Sequence, residues 1–254
     1  MKMKKKFKTV WIVLLSIAVL LVLQTLPVFF PRPLGSKVLE DERIRLYYVP
    51  GDEKGANEVF DLLNAKSDEI YKKLNFTNPD QIEVNLYPTQ WQLAIREAGF
   101  ATLIIAPPWH IGDSHNGNIM MVSPYTPVRV HTHDSILLAT LHELVHSIVF
   151  HINPELSYFW DNGLATYLSG QTPEEGMLTS MPVPSITDMH TDNGLVFGNM
   201  GGYAFSYDYI EFLEQAYGWD KVVAYASGDG DYEAVFGQTE EEIYQQWAQS
   251  LAES

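Results

Sequence analysis

The stretch Ile136-Leu137-Leu138-Ala139-Thr140-Leu141-His142-Glu143-Leu144-Val145-His146-Ser147-Ile148-Val149 decides how this chain is read. Ile136, Leu137, Leu141, Leu144, Val145 and Ile148 recur on a helical period. They predict a helix that starts from a cap at Asp134 and runs to about Phe150. Histidines four residues apart lie on one helix face, so the rings of His142 and His146 can both reach a single zinc ion. Glu143 stands beside them, where a carboxylate can take a proton from a metal-activated water. Two imidazoles and a carboxylate are costly to bury in so apolar a helix without partners, which strengthens the metal reading.

Downstream, Asn153-Pro154 interrupts the pattern and a second helix is predicted over Leu156 to Leu168. It contains Tyr158-Phe159-Trp160-Asp161-Asn162-Gly163-Leu164-Ala165-Thr166-Tyr167. This resembles the second motif of the gluzincin metallopeptidases of the peptidase MA group, in which a tryptophan precedes Glu-Gly-x-Ala-x-Tyr. Gly163, Ala165 and Tyr167 match that frame. Tyr203-Ala204-Phe205, Tyr217-Gly218-Trp219 and Phe236-Gly237 resemble the tail of exported members of the group, so the resemblance covers roughly residues 80 to 254. It implies a zincin-like domain, a zinc cofactor and peptide-bond hydrolysis, with His142 and His146 as ligands and Glu143 as the base. The small residues of the second motif would let its helix approach the zinc helix closely.

One position departs from that frame. The glutamate ligand of the family falls on Asn162, whose neutral amide oxygen binds zinc more weakly than a carboxylate does. Asp161 is acidic, but the adjacent helical position points about 100° away. Asp161 reaches the metal only if the helix start is shifted, and otherwise serves as a partner of a ligand. Glu155 is a remoter candidate. The third ligand is Asn162 by position and Asp161 by chemistry.

Upstream the pattern changes to strands. Arg43–Val49 and Ile82–Tyr87 alternate, and Ala101–Ala106 and Asn118–Val122 read as further strands. Asn57–Leu74 and Gln90–Ala98 read as helices. After the second motif, Gly170 to about Met200 reads as a long surface segment. A helix follows through Phe205, Tyr209 and Leu213, and Thr239 with Glu242 opens a last one. Strands first and helices later define an α+β domain. Among the other histidines, His131 and His133 read as an exposed helix approach, and His110, His115 and His151 as loop or helix-end residues. His190, Tyr203 and Tyr207 are candidate stabilisers of a transition state. Asp231 reads as a helix cap.

The chain has 254 residues and a formal charge of −16, from 16 basic and 32 acidic side chains. Its first 35 residues hold six of the basic residues and no acid, so residues 36–254 carry ten basic side chains against all 32 acids. Such a body repels phosphate backbones, which excludes nucleic acid as a partner. With no cysteine, disulfides, thiol catalysis and Cys-based metal sites are excluded too.

Lys2, Lys4, Lys5, Lys6 and Lys8 precede an uncharged run from Thr9 to Pro31. As a helix this run spans roughly 34 Å, enough for a hydrocarbon core of about 30 Å. The lysines favour a cytoplasmic N-terminus and an extracytoplasmic body. A cleaved signal peptide is the rival reading, but no small-x-small site follows Leu23. Residues 1–35 are therefore expected to form a basic tip, a transmembrane helix and a stiff tether at Pro31–Ser36, and residues 36–254 the peptidase domain. An edge strand at Asn118–Val122 would hold an extended peptide or protein substrate. The alternative function is a non-catalytic, peptide- or protein-binding pseudo-peptidase of the cell envelope that has lost its third metal ligand.

Overall fold

The computed structural model describes residues 2–77 and 81–253. Its first element is helix α1, Lys2–Thr25, followed by a 3-10 turn at Leu26–Phe29. Five strands, β1 (Lys37–Glu40), β2 (Ile44–Tyr48), β3 (Ile82–Tyr87), β4 (Gly112–His115) and β5 (Asn118–Val122), make one sheet in the order β1-β2-β3-β5-β4. The three inner strands are parallel and both outer ones run antiparallel to their neighbours.

Parallel strands need a crossover. Helix α2 (Glu53–Lys73) supplies the first, between β2 and β3. Helix α3 (Gln90–Ala98), the single turn α4 (Thr102–Ile105) and β4 lie between β3 and β5. In β2 the residues Ile44, Leu46 and Tyr48 are buried and alternate with half-buried ones, as a sheet covered chiefly on one face requires.

The remaining elements are helical: α5 (His133–Ile152), α6 (Tyr158–Ser169), α7 (Met177–Ser180), α8 (Ile186–Met189), α9 (Gly194–Asn199), α10 (Gly202–Tyr217), α11 (Trp219–Ala226), α12 (Tyr232–Phe236) and α13 (Glu240–Glu253). Helix α5 packs against the sheet, α2 and α6, and α6 against α10. The Trp160 indole stacks on Tyr225 at 4.2 Å and donates its N–H to the Tyr232 hydroxyl at 2.7 Å, which ties α6 to the tail helices. The architecture is α+β, and one N-terminal helix is long and apolar enough to span a membrane. By length and composition α5 is as well, but most of it is buried inside the body.

Several expectations are corrected. Ala101–Ala106 is not a strand, because Thr102–Ile105 closes into a helical turn with Ala106 N–H donating to the Thr102 carbonyl. Strand β5, Asn118–Val122, lies inside the sheet, and the free edge belongs to β4. The cap of α5 is Thr132 rather than Asp134. Its hydroxyl accepts from Ser135 N–H, and Ser135 Oγ accepts from Thr132 N–H in return. The segment 170–200 folds into three short helices and sends Met189 and Phe197 into the core. Gly163 faces α10 rather than α5: a Cβ there would lie 2.7 Å from the Ser206 carbonyl oxygen. As read from the sequence, Asp231 caps α12, accepting from Ala234 N–H at 3.0 Å.

Candidate metal centre

The local sequence fixes where the helix motif sits. The capping box at Thr132 starts α5 nearly three turns before His142, and its apolar face holds it against the sheet. His142 and Glu143 are each only 7% exposed, so a polar triad is held inside the protein beside a cleft of about 910 Å³. His142, Glu143, His146, Asp161 and Asn162 all line that cleft.

The two imidazoles converge: His142 Nε2 and His146 Nε2 are 3.0 Å apart. Two nitrogens each about 2.0–2.1 Å from a tetrahedral zinc ion are separated by about 3.3–3.4 Å, so the pair is within a few tenths of an ångström of a shared-metal geometry. Glu143 Oε2 is buried without a hydrogen-bond partner, as a group waiting on a ligand would be. Two ligands and an adjacent carboxylate thus fit zinc. Among the described residues, however, no three His, Cys, Asp or Glu side chains come together as a metal-binding group.

The two candidates for the third ligand differ in placement. Asp161 Oδ1 lies 2.8 Å from His146 Nδ1, the ring nitrogen that does not face His142, and the contact is one of charge rather than an aligned hydrogen bond. Asp161 therefore stands behind a ligand. Asn162 is buried in the cleft wall, and its amide nitrogen donates to the Tyr158 carbonyl at 2.8 Å, leaving Oδ1 as its metal donor atom.

Burial dominates the electrostatics. It drives the His142 ring well below the usual histidine range, and the charge of His146 adds to the effect. Glu143 is pushed up to about 8 by burial, against the pull of His146. For His146 burial acts downward, but the Asp161 carboxylate, with Glu143 and Asp113, outweighs it and raises the ring to about 9.

Residues outside the helix motif complete the wall. Strand β4 passes so close to Glu143 that a Cβ on Gly112 would lie 2.8 Å from Glu143 Oε1. The neighbouring Asp113 is raised to about 6 by burial and by Glu97. His110 pairs with Glu97 at 2.8 Å, and both line the cleft. Sequence reasoning missed Gly112 and Asp113, which the packing of β4 on α5 brings to Glu143, and Glu97, which α3 brings to the cleft wall. Tyr203 lines the cleft with its ring 6.1 Å from that of His142, and burial raises its hydroxyl above the usual range. His131 lines a smaller pocket that also touches His142 and Glu143, while the remaining polar candidates lie elsewhere. His131 bonds to the Trp109 carbonyl, His133 to Glu58 and Asp134, and His190 to Glu240, while the Tyr207 ring packs on Tyr167. Glu155 N–H bonds back to Asn153 at the turn between α5 and α6, and its side chain is exposed. No family model matches this chain, and no curated protein matches it.

Proposed function

We propose that this is a zinc-dependent metallopeptidase of gluzincin type, held to a membrane by α1 with its catalytic body outside the cytoplasm. The observation that carries the reading is the convergence of His142 Nε2 and His146 Nε2 to 3.0 Å beside a buried, unpartnered Glu143 carboxylate. His142 and His146 would hold the metal, with Asn162 completing the set and Asp161 orienting the His146 ring and holding its charge. Zinc, when bound, supplies a Lewis acid that polarises a carbonyl and acidifies water. With its ionised form favoured by a bound cation, the Glu143 carboxylate accepts the proton of the attacking water and passes it to the leaving amine. The Tyr203 hydroxyl, at the cleft wall and protonated at neutral pH as any phenol is, is a donor for the developing oxyanion. The free edge of β4 offers main-chain groups to an extended substrate.

One observation favours a second reading, the non-catalytic binding protein: the position of the third ligand carries an amide. Glu143→Gln separates the two. For a peptidase the variant keeps its zinc and its fold while turnover falls by about 10²-fold or more. Equal cleavage by variant and parent excludes Glu143 as the base. A zinc-loaded parent that cleaves nothing in a diverse peptide library moves the assignment to the binder.

A further inference from the structure

The twelve residues from Ala98 to Trp109 contain no charged side chain, and Thr102 is their one polar side chain. They form the corner between α3 and β4, and Phe100, Leu103, Ile104 and Trp109 all face outward there. Ile104 is 89% exposed, although it belongs to an ordered helical turn. Such a patch on a water-facing surface is unfavourable, and its construction is not that of an ordinary loop.

The Thr102 hydroxyl and four of the corner's N–H groups are satisfied internally. The Thr102 hydroxyl is buried, within hydrogen-bond distance of the Ala94 carbonyl at 2.7 Å and of the Gly99 carbonyl. The N–H groups of Thr102, Leu103, Ile104 and Ala106 donate to the carbonyls of Gly99, Phe100, Ala101 and Thr102. N–H groups turned inward beneath an apolar surface suit a lipid environment, which offers them no partner.

Its position relative to α1 gives the depth. Phe100 N–H donates to the Gln24 carbonyl at 3.1 Å. Gly99, at φ +87, makes room for this contact, because a Cβ there would lie 2.2 Å from Gln24 Oε1. Fifteen helical steps separate Thr9, the first residue after the lysines, from Gln24, a rise of about 22 Å. A hydrocarbon core of about 30 Å then extends about 8 Å beyond Gln24 on the body side. Amphipathic elements lying in a bilayer surface bury their apolar faces to about 5–10 Å, the same range.

We infer that the Ala98–Trp109 corner is a second membrane contact, dipping into the hydrocarbon boundary of the bilayer that α1 spans, with Ile104 and Leu103 at its tip. The inference rests on α1 spanning a membrane, and its occupant is the lipid itself. The acidity of the body makes the contact apolar rather than electrostatic, so added salt does not release it.

With no native cysteine, single reporters can be placed cleanly. The full chain is reconstituted in phosphatidylcholine vesicles with an environment-sensitive fluorophore on Leu15→Cys, Ile104→Cys or Gln245→Cys, the last on the exposed side of α13. The expected result is that quenchers carried on the lipid chains darken the probes at Leu15 and Ile104, with a blue-shifted emission at both, in low and high salt alike. Aqueous iodide quenches only the probe at Gln245. If iodide quenches Ile104 as fully as Gln245 while Leu15 stays lipid-quenched, the corner is water-facing and the inference is overturned, with the anchor intact. If Leu15 is itself open to iodide, the anchor fails and the inference falls with it.

Discussion

Gly112 and Asp161 each touch one member of the helix motif. The backbone of β4 presses on the Glu143 carboxylate at Gly112, so Gly112→Ala displaces that group. A shift of about 1 Å in a positioned group costs up to about 10²-fold in rate. Turnover of Gly112→Ala should therefore fall while bound zinc, measured by atomic absorption, stays at the parent level, and unchanged turnover refutes the contact. Asp161 lies behind His146, so Asp161→Asn should weaken zinc binding by about tenfold or more in chelator competition. If Asp161→Asn changes nothing while Asn162→Ala abolishes binding, the amide is the ligand and Asp161 serves only the helix start. His142, Glu143 and His146 could be read from the sequence because an i, i+4 pair is a local fact of helix geometry. Gly112 and Asp113 could not, because they reach Glu143 only when β4 packs on α5, and Glu97 reaches the cleft only through the placement of α3.

Helix α5 depends on its first turn for where it starts. Thr132→Ala removes the hydroxyl that receives Ser135 N–H, and the loss should be about 1 kcal/mol in denaturant unfolding. A loss near zero would mean that packing alone sets the start of the helix. The next residue, His133, is raised above the ordinary histidine value by Asp134 and Glu58. A raised value means the folded state favours the charged ring. That contribution is complete below the unfolded-state value and disappears as pH rises through the folded one. Glu58→Gln should therefore lower the His133 midpoint followed by NMR, and an unmoved midpoint would show that α2 and α5 are not linked through this pair. The same scale explains the error at Ala101–Ala106. A short apolar run reads as a strand or a helical turn equally well. The hydrogen bonds that decide it, from Thr102 and Ala106, follow from the chain reversing at Gly99.

For the molecule as a whole, the charge division between the tip and the body predicts topology. External protease should digest the body in intact cells and leave an N-terminal fragment in the membrane. Protection until lysis overturns the orientation, and a mature N-terminus beyond residue 25 overturns the anchor. The α+β class and the apolar N-terminal helix were legible from pattern and composition. The attachment between them was not: Pro31–Ser36 reads as a short stiff tether, and its docking is a property of surfaces that meet only after folding. In the structure that segment is fastened, with Tyr87 donating its hydroxyl to the Pro31 carbonyl and Arg32 paired with Glu83 at 2.7 Å.

Those clamps, with Phe100 against Gln24, set an altitude. A body swinging on a loose string would sample every height above a bilayer, whereas this one, with α1 spanning the bilayer as proposed, would carry its cleft at a single elevation and bearing. Any chain that is itself rooted in the same membrane then meets the cleft with only one stretch of its length in register. That stretch is chosen by its distance from the lipid before any side chain is inspected. A freely diffusing peptide meets no such gauge.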